Sequence, residues 1–189
     1  MTTFVLIRHG QTDWNLENRL QGHKPIPLNA QGKRQAAAIA ERLEGQPFTA
    51  IYTSDLLRAS QTAEAIARSV HLPVHADARL REISHGRWEG HTVLEAGDLF
   101  PEDIELWSKN VLDAAVPGGE TVQQVAARVR EFLDDVAQAY PSGNILVVSH
   151  GFAIGMMLCL ANSLPLIEAY NRVPDNTEPL TIEWPVRRS

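Results

Sequence analysis

A single cysteine, Cys159, stands in this chain of 189 residues, so no disulfide can form within it and no oxidising compartment is implied. Cys159 falls in the apolar run 156–161, where a buried structural thiol is expected. No apolar stretch approaches the roughly 20 residues needed to cross a bilayer as a helix, so no membrane partner is expected. Residues 1–3 lead straight into the short apolar run 4–7, without the charged start, long apolar stretch and small-residue cleavage site of a secretory signal. A cytoplasmic location is the expectation. A basic excess is also lacking: 17 Lys and Arg against 23 Asp and Glu give a formal net charge of −6. Association with nucleic acid is therefore not expected, and any anion site must be a local concentration of positive charge. Repeats at solenoid period and low-complexity tracts are missing too, which excludes an array architecture.

What remains is an ordinary globular composition, 44% hydrophobic and 21% charged, enough for one buried core and short for two. A single domain over residues 1–189 is expected. Ala36, Ile39, Ala40 and Leu43 recur at helical spacing, Asn29 precedes them as an N-cap, and Gly45 and Pro47 follow as stops. The spacing predicts a helix over about 30–44. Residues 49–53 read as a short buried strand, and Leu56, Ala59, Ala63, Ile66 and Val70 trace a second helix ending near Pro73. Val122, Val125, Val129, Leu133 and Val136 mark a long amphipathic helix begun by a Thr121–Gln124 capping box. A turn at 141–143 and a strand at 145–148 come next, and 181–184 reads as a last strand. Such alternation favours an α/β sandwich with a mainly parallel central sheet. Residues 84–120, rich in Gly and Pro with short helical patches such as 104–107, read as an elaborated crossover that covers a site.

One local design occurs twice: an apolar strand followed by His-Gly, at 4–10 (Phe-Val-Leu-Ile-Arg-His-Gly) and at 145–151 (Ile-Leu-Val-Val-Ser-His-Gly). Ligands of open parallel sheets bind at the carboxyl ends of strands, so His9 and His150 are expected to converge despite their separation in sequence. Gly10 and Gly151 would let the backbone approach a ligand closely. The helix expected over 152–160 would offer its first amides to an anion. Arg8 adds a fixed cation with planar donors suited to phosphate oxygens, and Arg58, early in the second helix, is placed to reach the same crevice. Alone, an Arg-His-Gly triplet recurs by chance and Arg58 reads as a solvated helix residue; the combination carries the weight.

With residues 6–15, 54–63, 80–83 running on through 86–90, 117–121 and 149–151, the chain resembles the histidine phosphatase superfamily, the phosphoglycerate mutase-like group. The resemblance implies the three-layer α/β/α sandwich of that group. It implies that His9 accepts the phosphoryl group while Arg8, Arg58 and His150 clamp its oxygens. Asn15, Gln21 and Gly22 would add phosphate or substrate contacts, with Gly151 beside His150. Glu82 would protonate the departing alcohol and then take a proton from the attacking water. The residues alone leave Asp13, Glu17, Glu89 and Glu120 as comparable acids; the choice of Glu82 rests on the family pattern. Trp88 and Trp107 read as packing residues. No metal and no cofactor is required: two arginines beside the candidate histidines His9 and His150 would repel a divalent cation.

Mutases of the group carry a longer, more basic insertion after the glutamate, whereas here Gly90 is followed by His91, Thr92 and Val93 with no lysine nearby. That favours hydrolysis of phosphate monoesters of small metabolites, either as an α-ribazole phosphatase or with broad specificity. The alternatives are a cofactor-dependent phosphoglycerate mutase and a non-catalytic phosphate-binding module of the same fold. Three positions depart from the pattern: Pro25 stands where an acidic residue is frequent, and His23 and His85 where aromatic or apolar residues are expected. The two histidines are either exposed loop residues or pocket residues that favour polar substrates. A small phosphorylated metabolite is the expected partner; a homodimer is the working expectation for assembly, which the sequence does not fix.

Overall fold

The computed structural model describes residues 1–185. Five strands, β1 (Thr2–Arg8), β2 (Ala50–Thr53), β3 (Val74–Ala76), β4 (Asn144–Ser149) and β5 (Pro179–Trp184), form one sheet in the order β3-β2-β4-β1-β5. All neighbours run parallel except β5, which lies antiparallel along β1. The helices are α1 (Asp13–Leu16), α2 (Ala30–Leu43), α3 (Leu57–Val70), α4 (Val93–Leu99), α5 (Pro101–Lys109), α6 (Val122–Ala139) and α7 (Gly151–Ala161).

Strand alternation produces the three layers. Phe4 and Leu6 of β1, with Ile145 and Val147 of β4, pack against Val125, Val129 and Leu133 of α6 and Ile154 of α7. Ile7, Leu146 and Val148 point to the other face, against Ile39 and Leu43 of α2 and Ala59 and Ile66 of α3. A strand covered on both faces has no polar side to show, which is why β1 and β4 read as near-continuous apolar runs. The expected caps are present: the Asn29 side chain accepts from Gly32 N–H at 2.8 Å, and Thr121 and Gln124 make a reciprocal box. The short elements β3, α1 and α4 are additions to what the sequence pattern predicts.

Parallel pairing of β1 with β4, in register Arg8 to Ser149, decides where the chemistry sits. The pairing continues one residue further, with the His9 N–H donating to the Ser149 carbonyl at 3.0 Å. His9 and His150 therefore leave adjacent strand ends side by side. Residues 84–120 build a small core of their own from Trp88, Ala96 and Val116, with Leu20, Phe100, Ile104 and Trp107 packed on it.

Candidate active site

His9 is 2% exposed. One of its ring nitrogens, Nδ1, lies 2.7 Å from the Gly10 carbonyl oxygen, which can only accept, so the proton sits on Nδ1 and Nε2 keeps its lone pair. Arg58 Nε donates to that lone pair at 3.2 Å. Burial first, then the Arg58 and Arg8 charges, hold the His9 imidazole well below its ordinary value and hence neutral. Asn176 Nδ2 donates to the His9 carbonyl at 2.7 Å and fixes the backbone.

The His150 ring stands across from it, centroids 5.2 Å apart and tilted by 58°. Its Nε2 meets the Ser54 hydroxyl at 2.8 Å, while Nδ1 is buried without a partner. With Ser54 donating, the neutral ring carries its proton on Nδ1, as a donor with nothing yet to bond. Burial and then Arg58 push this imidazole well below its ordinary value as well.

Arg58 sits in the first turn of α3 and is 1% exposed. Its Nη1 and Nη2 donate to the carbonyls of Lys24 at 3.0 Å and Gly22 at 2.9 Å, so the loop carrying Gln21 and Gly22 aims the guanidinium. Burial lowers its pKa to about 10, which leaves it charged at neutral pH. One turn on, the Thr62 hydroxyl donates to the Arg58 carbonyl at 2.8 Å and accepts from the Gly10 N–H at 3.0 Å, tying α3 to the His9 loop. Arg8 Nη1 donates to the Pro174 carbonyl at 2.8 Å, and Arg8 Nε is buried with no acceptor.

The two glycines serve close packing more than approach to a ligand. A Cβ on Gly10 would fall 2.4 Å from the Gly32 carbonyl oxygen, and one on Gly151 would fall 2.7 Å from Val173 Cγ1 and 3.6 Å from Arg8 Nε. The first amides of α7 already have an acceptor in the Glu82 carboxyl group: Phe152 N–H and Ala153 N–H each donate to it at 3.3 Å, and Ile83 N–H at 3.0 Å. Its backbone is held equally firmly. Arg128 of α6 donates to the carbonyls of Arg79, Arg81 and Glu82 at 2.7, 2.7 and 3.0 Å and pairs with Glu120 at 2.9 Å. His23 Nε2 donates to the same Glu82 carbonyl at 2.8 Å.

The remaining expected contacts are placed differently. Asn15 Oδ1 accepts from Thr12 N–H and hydroxyl, at 2.9 and 3.0 Å, as the capping box of α1. Gly22 presents its carbonyl to Arg58, at a φ of +45°, and Gln21 Oε1 is buried without a partner. Sequence reasoning gave no role to Ser54 and Thr62, although both lie in the quoted 54–63 stretch, and none to Arg128 or Asn176, which no local pattern marks.

Beside Arg8, Glu82 and Gly151 opens a cavity of about 300 Å3. His85 lines it, whereas His23 is engaged with Glu82 and is not part of its wall. Trp88 and Trp107 pack as expected, and they also line this cavity, a second role the sequence did not disclose. Among the described residues, no cluster of three His, Cys, Asp or Glu side chains is placed to hold a metal ion, and no helix is long and apolar enough to cross a membrane.

Residues 4–188 match the profile of the histidine phosphatase superfamily, branch 1. The chain belongs to that superfamily. It is 38% identical over 169 residues to a probable phosphoglycerate mutase GpmB of Yersinia enterocolitica, covering 87% of this chain and 77% of that one. Among solved structures, the α-ribazole phosphatase of Shigella flexneri superposes with a TM-score of 0.88 at 28% identity, over 96% of this chain and 90% of that one. A mycobacterial glucosyl-3-phosphoglycerate phosphatase superposes with a TM-score of 0.83 at 30% identity, over 95% and 88% of the two chains. This superfamily member thus has the phosphoglycerate mutase-like fold, with structural neighbours that are phosphatases.

The buried histidines make stability depend on pH. Both His9 and His150 have folded values depressed from an ordinary 6.5. Below pH 6.5 the unfolded chain takes up protons that the folded chain refuses, so the stability these neutral rings confer is complete above that pH and is lost as pH falls toward the folded values. Each histidine contributes a slope of up to about 1.4 kcal/mol per pH unit. His85, depressed by burial, adds in the same direction. Urea denaturation of the ligand-free protein is expected to show a loss of about 2 kcal/mol or more between pH 7.5 and 5.5. A His150→Asn variant is expected to show a shallower slope; equal stability at the two pH values would contradict neutral, buried imidazoles.

Proposed function

We propose that the protein hydrolyses phosphate monoesters of small metabolites through a phosphohistidine formed on His9. The observation that carries this reading is the neutral His9 imidazole, its Nε2 lone pair met by the Arg58 guanidinium in a buried site. The lone pair attacks phosphorus and the bond to the alcohol oxygen breaks. The Nδ1–H bond to the Gly10 carbonyl steadies the positive charge that N-phosphorylation places on the ring. Three donors await the phosphoryl oxygens: Arg58 Nε once it leaves Nε2, the unpartnered Arg8 Nε, and His150 Nδ1. Glu82 protonates the departing alkoxide, then accepts a proton from the water that attacks phosphohistidine and releases inorganic phosphate.

The name of the Yersinia relative raises mutase activity as the second reading. A mutase must hold the second acidic group of its substrate, yet among the described residues Arg8 is the only arginine lining the cavity, no lysine lines it, and Glu82 and Glu120 do. A non-catalytic module has no use for a buried neutral histidine facing the buried Arg58 and the half-buried Arg8. We place the activity in the cytoplasm, where small phosphorylated metabolites are abundant. The test compares the rate at which 3-phosphoglycerate is converted to 2-phosphoglycerate with the rate of inorganic phosphate release across a panel of phosphate monoesters. Phosphate release from at least one monoester is expected to be faster; mutase turnover faster than release from any monoester would establish the mutase.

A further inference from the structure

We propose that the cavity beside Arg8 binds the alcohol half of the substrate and selects a neutral, largely apolar alcohol bearing a ring, rejecting esters with a second anionic group. This rests on the phosphatase reading and adds the substrate class. Arg8, Glu82 and Gly151, which neighbour His9 and His150, form part of the cavity wall, and the phosphoryl group would sit beside them. A chain of aromatic ring contacts forms much of the rest of the wall. Phe152 meets Tyr170 with centroids 4.6 Å apart, Tyr170 meets Trp107 edge-on at 5.9 Å, and Trp107 meets Trp88 at 6.1 Å. Leu20, Ile83, Val93, Ile104, Val116 and Val173 complete the lining with aliphatic surface.

Polar groups are few and of the wrong sign for a second anion. Glu120 is held by Arg128 at 2.9 Å and accepts from Ser84 N–H at 2.9 Å. His85 is kept neutral by burial and offers no positive charge. The one cation in the wall among the described residues, Arg8, belongs to the phosphoryl end. A carboxylate or second phosphate on the alcohol would lose its water against apolar walls and face Glu120 without a counter-ion. A ring buries apolar area against the aromatic wall instead. The volume of about 300 Å3 lies at the small end of small-molecule sites, enough for one ring system. Val93, 58% exposed, and Val173, 44% exposed, stand in the wall as apolar surface that such a ligand would cover.

The test uses binding, so that it does not depend on turnover. Calorimetric titration compares 3-phenylpropylphosphonate with 4-phosphonobutyrate, which share the phosphonate and its three-methylene chain and differ at the far end. The phenyl compound is expected to bind about 30-fold more tightly, with a negative heat-capacity change. Trp107→Ala is expected to bring the ratio below about fivefold, by removing ring contact. Val93→Lys, at a half-exposed position that should tolerate the change, is expected to raise affinity for the carboxylate compound. Equal binding by the wild type, tighter binding of the carboxylate, or an unchanged ratio in Trp107→Ala would overturn the cavity assignment. A phenyl preference without hydrolysis of 3-phenylpropyl phosphate would support the cavity assignment while overturning the phosphatase reading beneath it.

Discussion

Replacing His9 by asparagine is expected to lower kcat for every phosphate monoester by about a million-fold, the scale seen when the nucleophile of a covalent mechanism is removed. Asparagine is a fair probe because its Nδ2 takes the place of His9 Nδ1 and can still donate to the Gly10 carbonyl, while nothing takes the place of the attacking Nε2. The fold should therefore survive, which circular dichroism and urea denaturation check. His150 is the natural competitor, being equally buried, neutral and close. Its Nε2 is engaged with Ser54 and its Nδ1 is left as a donor, so it is placed to stabilise charge and not to attack. Loss of one such donor costs on the order of 100- to 1,000-fold. His150→Asn is accordingly expected to retain far more activity than His9→Asn; the opposite ranking would exchange the two roles.

The second large effect concerns Glu82 and depends on the leaving group. Glu82→Gln keeps the shape, and its one amide oxygen can still accept from the Ile83 and Ala153 amides as Oε1 does, but it carries no transferable proton. For alkyl phosphates, whose alkoxides are poor leaving groups, kcat is expected to fall about 1,000-fold. For p-nitrophenyl phosphate, whose phenolate leaves without help, the loss in forming phosphohistidine is expected to stay within about tenfold. The contrast appears in the burst of p-nitrophenol, since the later attack of water still wants a base. Equal losses for the two ester classes would move the acid elsewhere, and Glu120, which lines the same cavity, would be the next candidate.

The layers were legible because strands buried on both faces write continuous apolar runs and helices write their 3.6-residue spacing. Asn29 and the Thr121–Gln124 pair bounded two helices correctly for a local reason: caps act within one turn. His9 and His150 could be paired from sequence since each ends a strand, and parallel strands deliver their ends to one crevice. Arg128, Asn176 and the aromatic wall were not legible. Each acts on a residue far along the chain, Arg128 on the carbonyls of residues 79–82 and Asn176 on His9. Trp107 carries the periodicity of a packing residue whether or not a ligand touches it, so pattern alone could not separate its two roles. Glu82 lies between these cases. Nothing in its neighbourhood distinguishes it from Glu89 or Glu120, and its placement follows from α7, whose first amides hold the carboxylate from some 70 residues away in sequence.

The central claim is that the phosphoryl group passes through His9 Nε2. Brief reaction with a phosphate monoester labelled in its phosphoryl group, followed by alkaline quench and peptide mapping, reads this directly. The account predicts base-stable, acid-labile label on the peptide containing His9 and none in the His9→Asn variant. Label on the His150 peptide, or equal labelling of the variant, would contradict it.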